Sequence, residues 1–221
     1  MDNEKLKRHM FMTYFTQRAG MAAIAFIFPF FLWFVGLSQG IELQDSMSAY
    51  YHKIVEGVSM RDWFVGFLCA IGVFLYLYKG FSNAENILLN IAGISAVGVA
   101  MVPMAWECGD QCPTITWHGV FAISLFLCLA IVCVWLAKDT LKYLHNQDRV
   151  KYYKWLYNLL GLLMIGLPIS AFLVLTLSGQ SWVVFAIEAS GVCTFAAYWA
   201  VKSVELSSHF EERVVKERLK I

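Results

Sequence analysis

The sequence predicts an all-α fold, a bundle of six transmembrane helices with both termini in the cytoplasm. The 221 residues are 59% hydrophobic and only 15% charged, whereas soluble domains are about half apolar and a quarter charged. Six apolar runs are long enough to cross roughly 30 Å of hydrocarbon as helices. The runs are continuous rather than alternating, which favours helices as the structure that satisfies the backbone in lipid.

The six runs leave no room for a separate soluble domain, so we expect one transmembrane domain over residues 1–221. The connecting segments are short, and the second and third runs are the shortest. Along the chain, the predicted spans are 19–38, 63–79, 87–105, 117–137, 155–177 and 182–202, followed by a cytoplasmic tail at 203–221.

The first span has a basic lead but is longer than the apolar core of a signal peptide, and no A-x-A cleavage site follows it. We therefore expect it to stay in the protein, bent at Pro29. The third span carries Ala92, Ala96 and Ala100 at four-residue spacing, with Gly93 beside them. Small residues at this spacing allow two helix backbones to approach closely, so this face is predicted to pack inside the bundle.

The sixth span contains an acid, Glu188, about six residues from its start. A carboxylate within hydrocarbon costs several kcal/mol unless it is protonated, paired or hydrated. Glu188 is therefore expected to face the bundle interior with a partner, as a functional group or as part of a buried ion pair.

Lysine and arginine predict the orientation, because cytoplasmic loops of membrane proteins carry an excess of both. Fifteen of the 17 lie before the first span, in alternate connections or after the last span. The opposite connections, 39–62, 106–116 and 178–181, carry only Lys53 and Arg61. These connections should face outward, which in a bacterial inner membrane is the exterior. The cytoplasmic basic residues are expected to meet anionic lipid headgroups, and the sequence has no basic patch with interleaved aromatics that would bind nucleic acid.

Cys108 and Cys112 lie in an outward connection, where oxidation can occur. A disulfide between them is one interpretation and two free thiols are the other. A zinc site is a weaker interpretation of this pair, since it supplies two ligands and structural zinc takes four. The other four cysteines lie within predicted helices, where they are expected to act as small apolar packing residues.

The outward connections also hold the densest set of reactive side chains. Topology places six candidate site residues at one membrane face: Ser48, His52, Arg61, Asp62, His118 and Glu188. His52, Asp62 and His118 are candidate ligands for zinc or a similar cation. A serine, a histidine and an acid are also the residue types that supply a nucleophile and its general base. Arg61 and Tyr51 are candidate ligand-binding residues, and Arg61 is a candidate for binding a phosphate headgroup or pairing with Glu188.

The order of these motifs resembles a family of bacterial six-helix membrane proteins and their eukaryotic relatives, the DRAM/Sfk/Frag-type proteins. The matching segments, in order, are "SMSAYYH", "MRDWFVGFLCAIGVFLYLYKG", "ENILLNIAGISAVGVA", "WHGVFA" and "FAIEASG". The resemblance implies a six-helix bundle with a lipid-related role and supplies no catalytic residue to transfer.

A second resemblance is to membrane hydrolases of the alkaline ceramidase type, which combine Ser and His four residues apart with a later Asp. Ser48, His52 and Asp62 fit that part, but the last helix here lacks the histidine pair of those enzymes. Three interpretations follow. The first is a lipid-binding or scaffolding membrane protein with membrane lipids as partners. The second is a lipid hydrolase, with zinc as a candidate cofactor, and the third is a small-solute or proton-coupled transporter in which Glu188 titrates.

Overall fold

The computed structural model describes residues 3–55, 57–106, 116–144, 146–178 and 181–219. Within these ranges the chain forms six long α-helices, and all six are long and apolar enough to cross a membrane. Their bounds are α1 Asn3–Ser38, α2 Met60–Leu77, α3 Asn83–Met101, α4 Trp117–Ile131, α5 Gln147–Ser178 and α6 Ser181–Leu219.

The helices run up and down, and each packs against the next one in the chain, while α6 also packs against α1 and closes the ring. One end of the bundle, the hairpin end, carries the connections α1–α2, α3–α4 and α5–α6. The first of these contains a short 3₁₀ helix at Ser48–His52 and a two-stranded hairpin, β1 Ile54–Val55 and β2 Val58–Ser59. The opposite end, the termini end, carries the other two connections and both chain ends.

The packing face predicted on the third helix is confirmed. Ala92, Ala96 and Ala100 are fully buried. Gly93 crosses Gly72 of α2 so closely that a Cβ on Gly93 would lie 2.6 Å from the Gly72 carbonyl oxygen. The two backbones therefore touch at this crossing, as small residues in membrane helices allow.

The fourth helix differs from the uniform span predicted at 117–137. After Ile131 it becomes a π-helix over Val132–Leu136 and then a 3₁₀ helix over Ala137–Tyr143. The Ala137 amide closes the π turn by donating to the Val132 carbonyl, and the Ala137 carbonyl accepts from the Lys202 ammonium of α6 at 2.7 Å. Single π-helical turns are frequently found at functional sites.

The predicted spans also stop short of the helix ends at both termini. α1 begins at Asn3 rather than near residue 19, and α6 continues to Leu219 through the segment expected to be a tail. Two of the basic residues assigned to lipid headgroups are instead buried in protein. Arg18 is 2% exposed and Lys202 is 1% exposed, because both lie on the faces where α1 and α6 meet the rest of the bundle.

Candidate functional site

A segment at residues 39–59, the cap segment, folds over the hairpin end. It leaves α1 through Gly40, whose φ of 74° is in the left-handed region that favours glycine. The Tyr50 side chain is fully buried against Phe185 of α6 and against Gly36, where a Cβ would lie 2.8 Å from the tyrosine ring. Burial raises the pKa of the Tyr50 phenol. This ring fixes the 3₁₀ helix in place.

The structure brings Ser48 and His118 into direct contact. Ser48 Oγ lies 3.0 Å from His118 Nε2, and His118 Nδ1 lies 2.7 Å from the carbonyl oxygen of Val102. A carbonyl only accepts, so Nδ1 carries the proton and Nε2 is left to accept from the serine hydroxyl. Thr116 caps α4 just before the histidine, its side chain accepting from the Gly119 amide at 3.1 Å. The result is a serine paired with an oriented, neutral imidazole.

Glu188 lies beside this pair without touching it. Its Oε2 accepts a hydrogen bond from the backbone amide of Met47 at 2.7 Å. The neighbouring Phe185 amide donates to the Asp45 carbonyl at 3.0 Å. Glu188 thus has a backbone amide as its partner. The sequence predicted instead a functional group or a member of a buried ion pair. It ties α6 to the residue that precedes Ser48.

His52 faces another part of the hairpin end. Its Nε2 donates to the Met104 carbonyl at 3.3 Å, and its ring stacks on Trp106 with centroids 5.0 Å apart. The Lys53 ammonium lies 5.0 Å from the centroid of the same indole. His52 and Ser48 therefore have different partners, although they share one short 3₁₀ helix.

Arg61 contacts Tyr51, not Glu188. The guanidinium carbon lies 4.6 Å from the centroid of the Tyr51 ring, and Nε donates to the Tyr51 carbonyl at 3.4 Å. Asp62 is exposed in the first turn of α2, where an acid is favoured by the helix dipole. The structure gives Asp62 this ordinary position at a helix start.

The metal site expected from His52, Asp62 and His118 does not form. In the part of the chain that the structure describes, no three His, Cys, Asp or Glu side chains are grouped as a metal would require. Both ring nitrogens of His118 already have protein partners. Cys108 and Cys112 lie outside the described residues, so their predicted bridge stays a prediction.

A second polar cluster, which sequence reasoning missed, lies at the termini end. The Lys202 ammonium donates to Ala137 O, to Thr140 Oγ1 at 2.6 Å and to Glu205 Oε2 at 3.1 Å. Glu205 also accepts from the hydroxyls of Thr140 and Tyr157. The lysine and the glutamate are buried almost completely. This is an enclosed ion pair whose atoms are closely hydrogen-bonded.

One signal in the sequence could have indicated this cluster. Lys202 and Glu205 are three residues apart, so on a helix they share a face and can pair. The predicted sixth span ends at residue 202, so the prediction places both residues at the solvated end of the helix. Recognising that α6 continues beyond this point would have placed the pair inside the bundle.

No family model matches the chain, and no curated protein or solved structure shows significant similarity to it. The motif resemblance to DRAM/Sfk/Frag-type proteins therefore stays a prediction. What the fold and composition support is the class: six helices long and apolar enough to cross a membrane indicate a multi-pass membrane protein.

Proposed function

We propose that this chain is a multi-pass protein of the bacterial inner membrane that binds lipid headgroups at its hairpin end, with that end outward and both termini cytoplasmic. The distribution of lysine and arginine supports this orientation. Trp63, Trp117 and Trp182 are exposed around the hairpin end. Exposed tryptophans of this kind are typical of the membrane–water interface, which is where headgroups lie.

One observation carries the proposal. The two cations of this end, Lys53 and Arg61, each lie over an aromatic ring, at 5.0 and 4.6 Å. Lys53 directly follows the 3₁₀ helix, and Arg61 donates to the carbonyl of Tyr51 within it, so both cations are held at this helix. An aromatic platform holds the cation in place, and a guanidinium has the planar donor geometry that suits phosphate. This combination fits the phosphate of a phospholipid headgroup.

Native mass spectrometry of the detergent-purified protein with added phosphatidylglycerol tests the proposal. The Lys53→Ala/Arg61→Ala variant should lose bound phospholipid several-fold. The matched control is Lys151→Ala/Lys154→Ala, which removes two exposed cations at the termini end and should retain the outer-site lipid. Equal retention by both double variants would contradict headgroup binding at the hairpin end.

The Ser48–His118 contact favours a second candidate function, hydrolysis of a lipid ester. In that reaction the Ser48 hydroxyl gives its proton to His118 Nε2 while Oγ attacks the ester carbonyl. The alcohol then leaves with the proton, and water hydrolyses the acyl-serine to release the fatty acid and restore the hydroxyl. The Val102 carbonyl would orient the imidazole, which is the role of the acid in a triad.

A fluorophosphonate probe, which phosphonylates an activated serine with loss of fluoride, separates the two functions. A hydrolase should be labelled at Ser48, and labelling should disappear in Ser48→Ala and fall at least tenfold in His118→Gln. Absence of labelling in the folded wild-type protein would exclude the nucleophile role and leave headgroup binding untouched, because that proposal depends on Lys53 and Arg61.

A further inference from the structure

Beside the Lys202–Glu205 pair lies a second group of buried polar side chains, here called the inner cluster: Arg18, Tyr78, Glu85, Tyr198 and Trp199. They come from α1, the α2–α3 turn, α3 and α6. Every one of them is at most 2% exposed. Their location at the termini end separates them from Ser48 and His118, and none of the functions proposed above uses them.

Contacts between the rings show that these side chains form one group. Trp199 packs edge-on against Tyr78 at 4.8 Å and against Tyr198 at 5.1 Å between centroids. Burial raises the pKa of Tyr78 to about 12, so this phenol stays neutral although the Arg18 guanidinium acts in the opposite direction. Glu85 interacts electrostatically with both Tyr78 and Tyr198.

Four polar atoms of this cluster have no protein partner. They are Arg18 Nε, Glu85 Oε1, Tyr198 Oη and Trp199 Nε1. The other oxygen of Glu85 is engaged, since Oε2 accepts from the Phe81 amide at 2.7 Å. A buried donor or acceptor without a partner costs about 1–3 kcal/mol, and nearly all such groups in native proteins are satisfied by protein or ordered water. Four together indicate a bound polar ligand.

The surrounding charges and packing define that ligand. Arg18 and Lys202 disfavour a cation, while Glu85 and Glu205 disfavour an anion, so the ligand is neutral. It must donate to Glu85 and accept from the indole and the guanidinium. It must also be small, because all four atoms are enclosed by protein. Water meets all of these conditions and commonly makes about three hydrogen bonds in buried sites.

We infer that the inner cluster is an internal hydration site, in which bound water links Arg18 and Glu85 to Tyr198 and Trp199. This water completes the polar interior of the termini end, next to the Lys202–Glu205 pair.

The direction in which one substitution shifts the thermal unfolding midpoint tests this inference. Tyr198→Phe keeps the ring contacts and removes only the hydroxyl. If the hydroxyl binds water, its loss should lower the thermal unfolding midpoint in detergent. If the site is dry, removing an unsatisfied group should raise the midpoint or leave it unchanged, which would overturn the inference. Tyr157→Phe, which loses an observed hydrogen bond to Glu205, calibrates the size of the decrease.

Radiolytic hydroxyl labelling of the wild-type protein gives an independent result. Radicals formed from bound water modify adjacent side chains even when bulk solvent is excluded. Tyr198 and Trp199 should therefore be oxidised severalfold faster than Phe28 and Phe64, which are equally buried among apolar side chains. Equal, low labelling of all four would show that no water is bound at the inner cluster.

Discussion

Glu188 binds a backbone amide, and this choice of partner determines what the residue can do. The Met47 amide that it accepts from comes immediately before the 3₁₀ helix carrying Ser48. Glu188 is therefore a positioning residue, which holds the cap segment on α6 and so sets where Ser48 meets His118.

We expect Glu188→Ala to destabilise the protein by about 1–3 kcal/mol, because it leaves the buried amide of Met47 without its acceptor. Glu188→Gln should cost less, since its amide oxygen still accepts from Met47. Thermal unfolding in detergent gives the ranking, and limited proteolysis should cut the cap segment faster in the Ala variant. Identical midpoints and cleavage rates for Ala and wild type would show that the bond contributes nothing.

The Lys202–Glu205 pair leads to a different kind of prediction. Lys202→Met should destabilise the protein by about 3–5 kcal/mol, because it leaves a buried carboxylate without its cation. Replacing both residues, as Lys202→Met/Glu205→Leu, should recover much of that loss, since a well-packed apolar pair can match a buried ion pair. Denaturation of Lys202→Met, Glu205→Leu and the double variant completes the thermodynamic cycle. Additive losses of unfolding free energy would contradict the coupling between the two residues.

At the level of elements, the sequence predicted the helices well and their ends poorly. Continuous apolar runs identify the parts that must cross hydrocarbon, so six helices were expected and found. The same signal vanishes where a helix continues beyond the apolar run, which explains the missed extensions of α1 and α6. No local pattern in the sequence indicates the π-helical turn that follows α4.

The candidate site was predicted only in part, because the sequence shows at which end of the bundle a side chain lies but not which side chains touch. Topology alone placed Ser48 and His118 at one end, and the structure puts their side chains in contact. Which serine meets which histidine depends on the 3₁₀ geometry of residues 48–52 and on the fit of Tyr50 against Gly36. These details come from packing between distant segments. Counting residues could not separate His52, which binds Met104, from His118.

The α2–α3 crossing provides a prediction at this scale with a matched control. Gly93→Ala places a methyl group 2.6 Å from the Gly72 backbone carbonyl, so the helices must separate. We expect a loss of at least about 1–3 kcal/mol, typical of overpacking. Gly66→Ala lies on the same helix pair with nothing within 4 Å of its added Cβ and should be neutral. Yield of monodisperse protein and thermal midpoint distinguish the two variants, and similar values would exclude a tight crossing.

For the molecule as a whole, the two ends differ in how deeply their charged side chains are buried. The hairpin end displays its cations on aromatic rings near the surface, whereas the termini end buries Arg18 and Lys202 with two acids. A half-exposed set of polar groups can meet a ligand from outside, but an enclosed one stabilises the bundle. The proposed headgroup binding therefore belongs to the hairpin end, and this proposal makes the orientation in the membrane decisive.

Reporter fusions in a bacterial host test the orientation. Green fluorescent protein fluoresces only when it folds in the cytoplasm, and alkaline phosphatase is active only outside it. A fusion after residue 106, at the hairpin end, should give phosphatase activity without fluorescence. Fusions after residue 144 and after Ile221, at the termini end, should give the opposite result, because the cationic connections stay in the cytoplasm. A reversed pattern would place Lys53 and Arg61 at the cytoplasmic leaflet and overturn the outward-facing headgroup site.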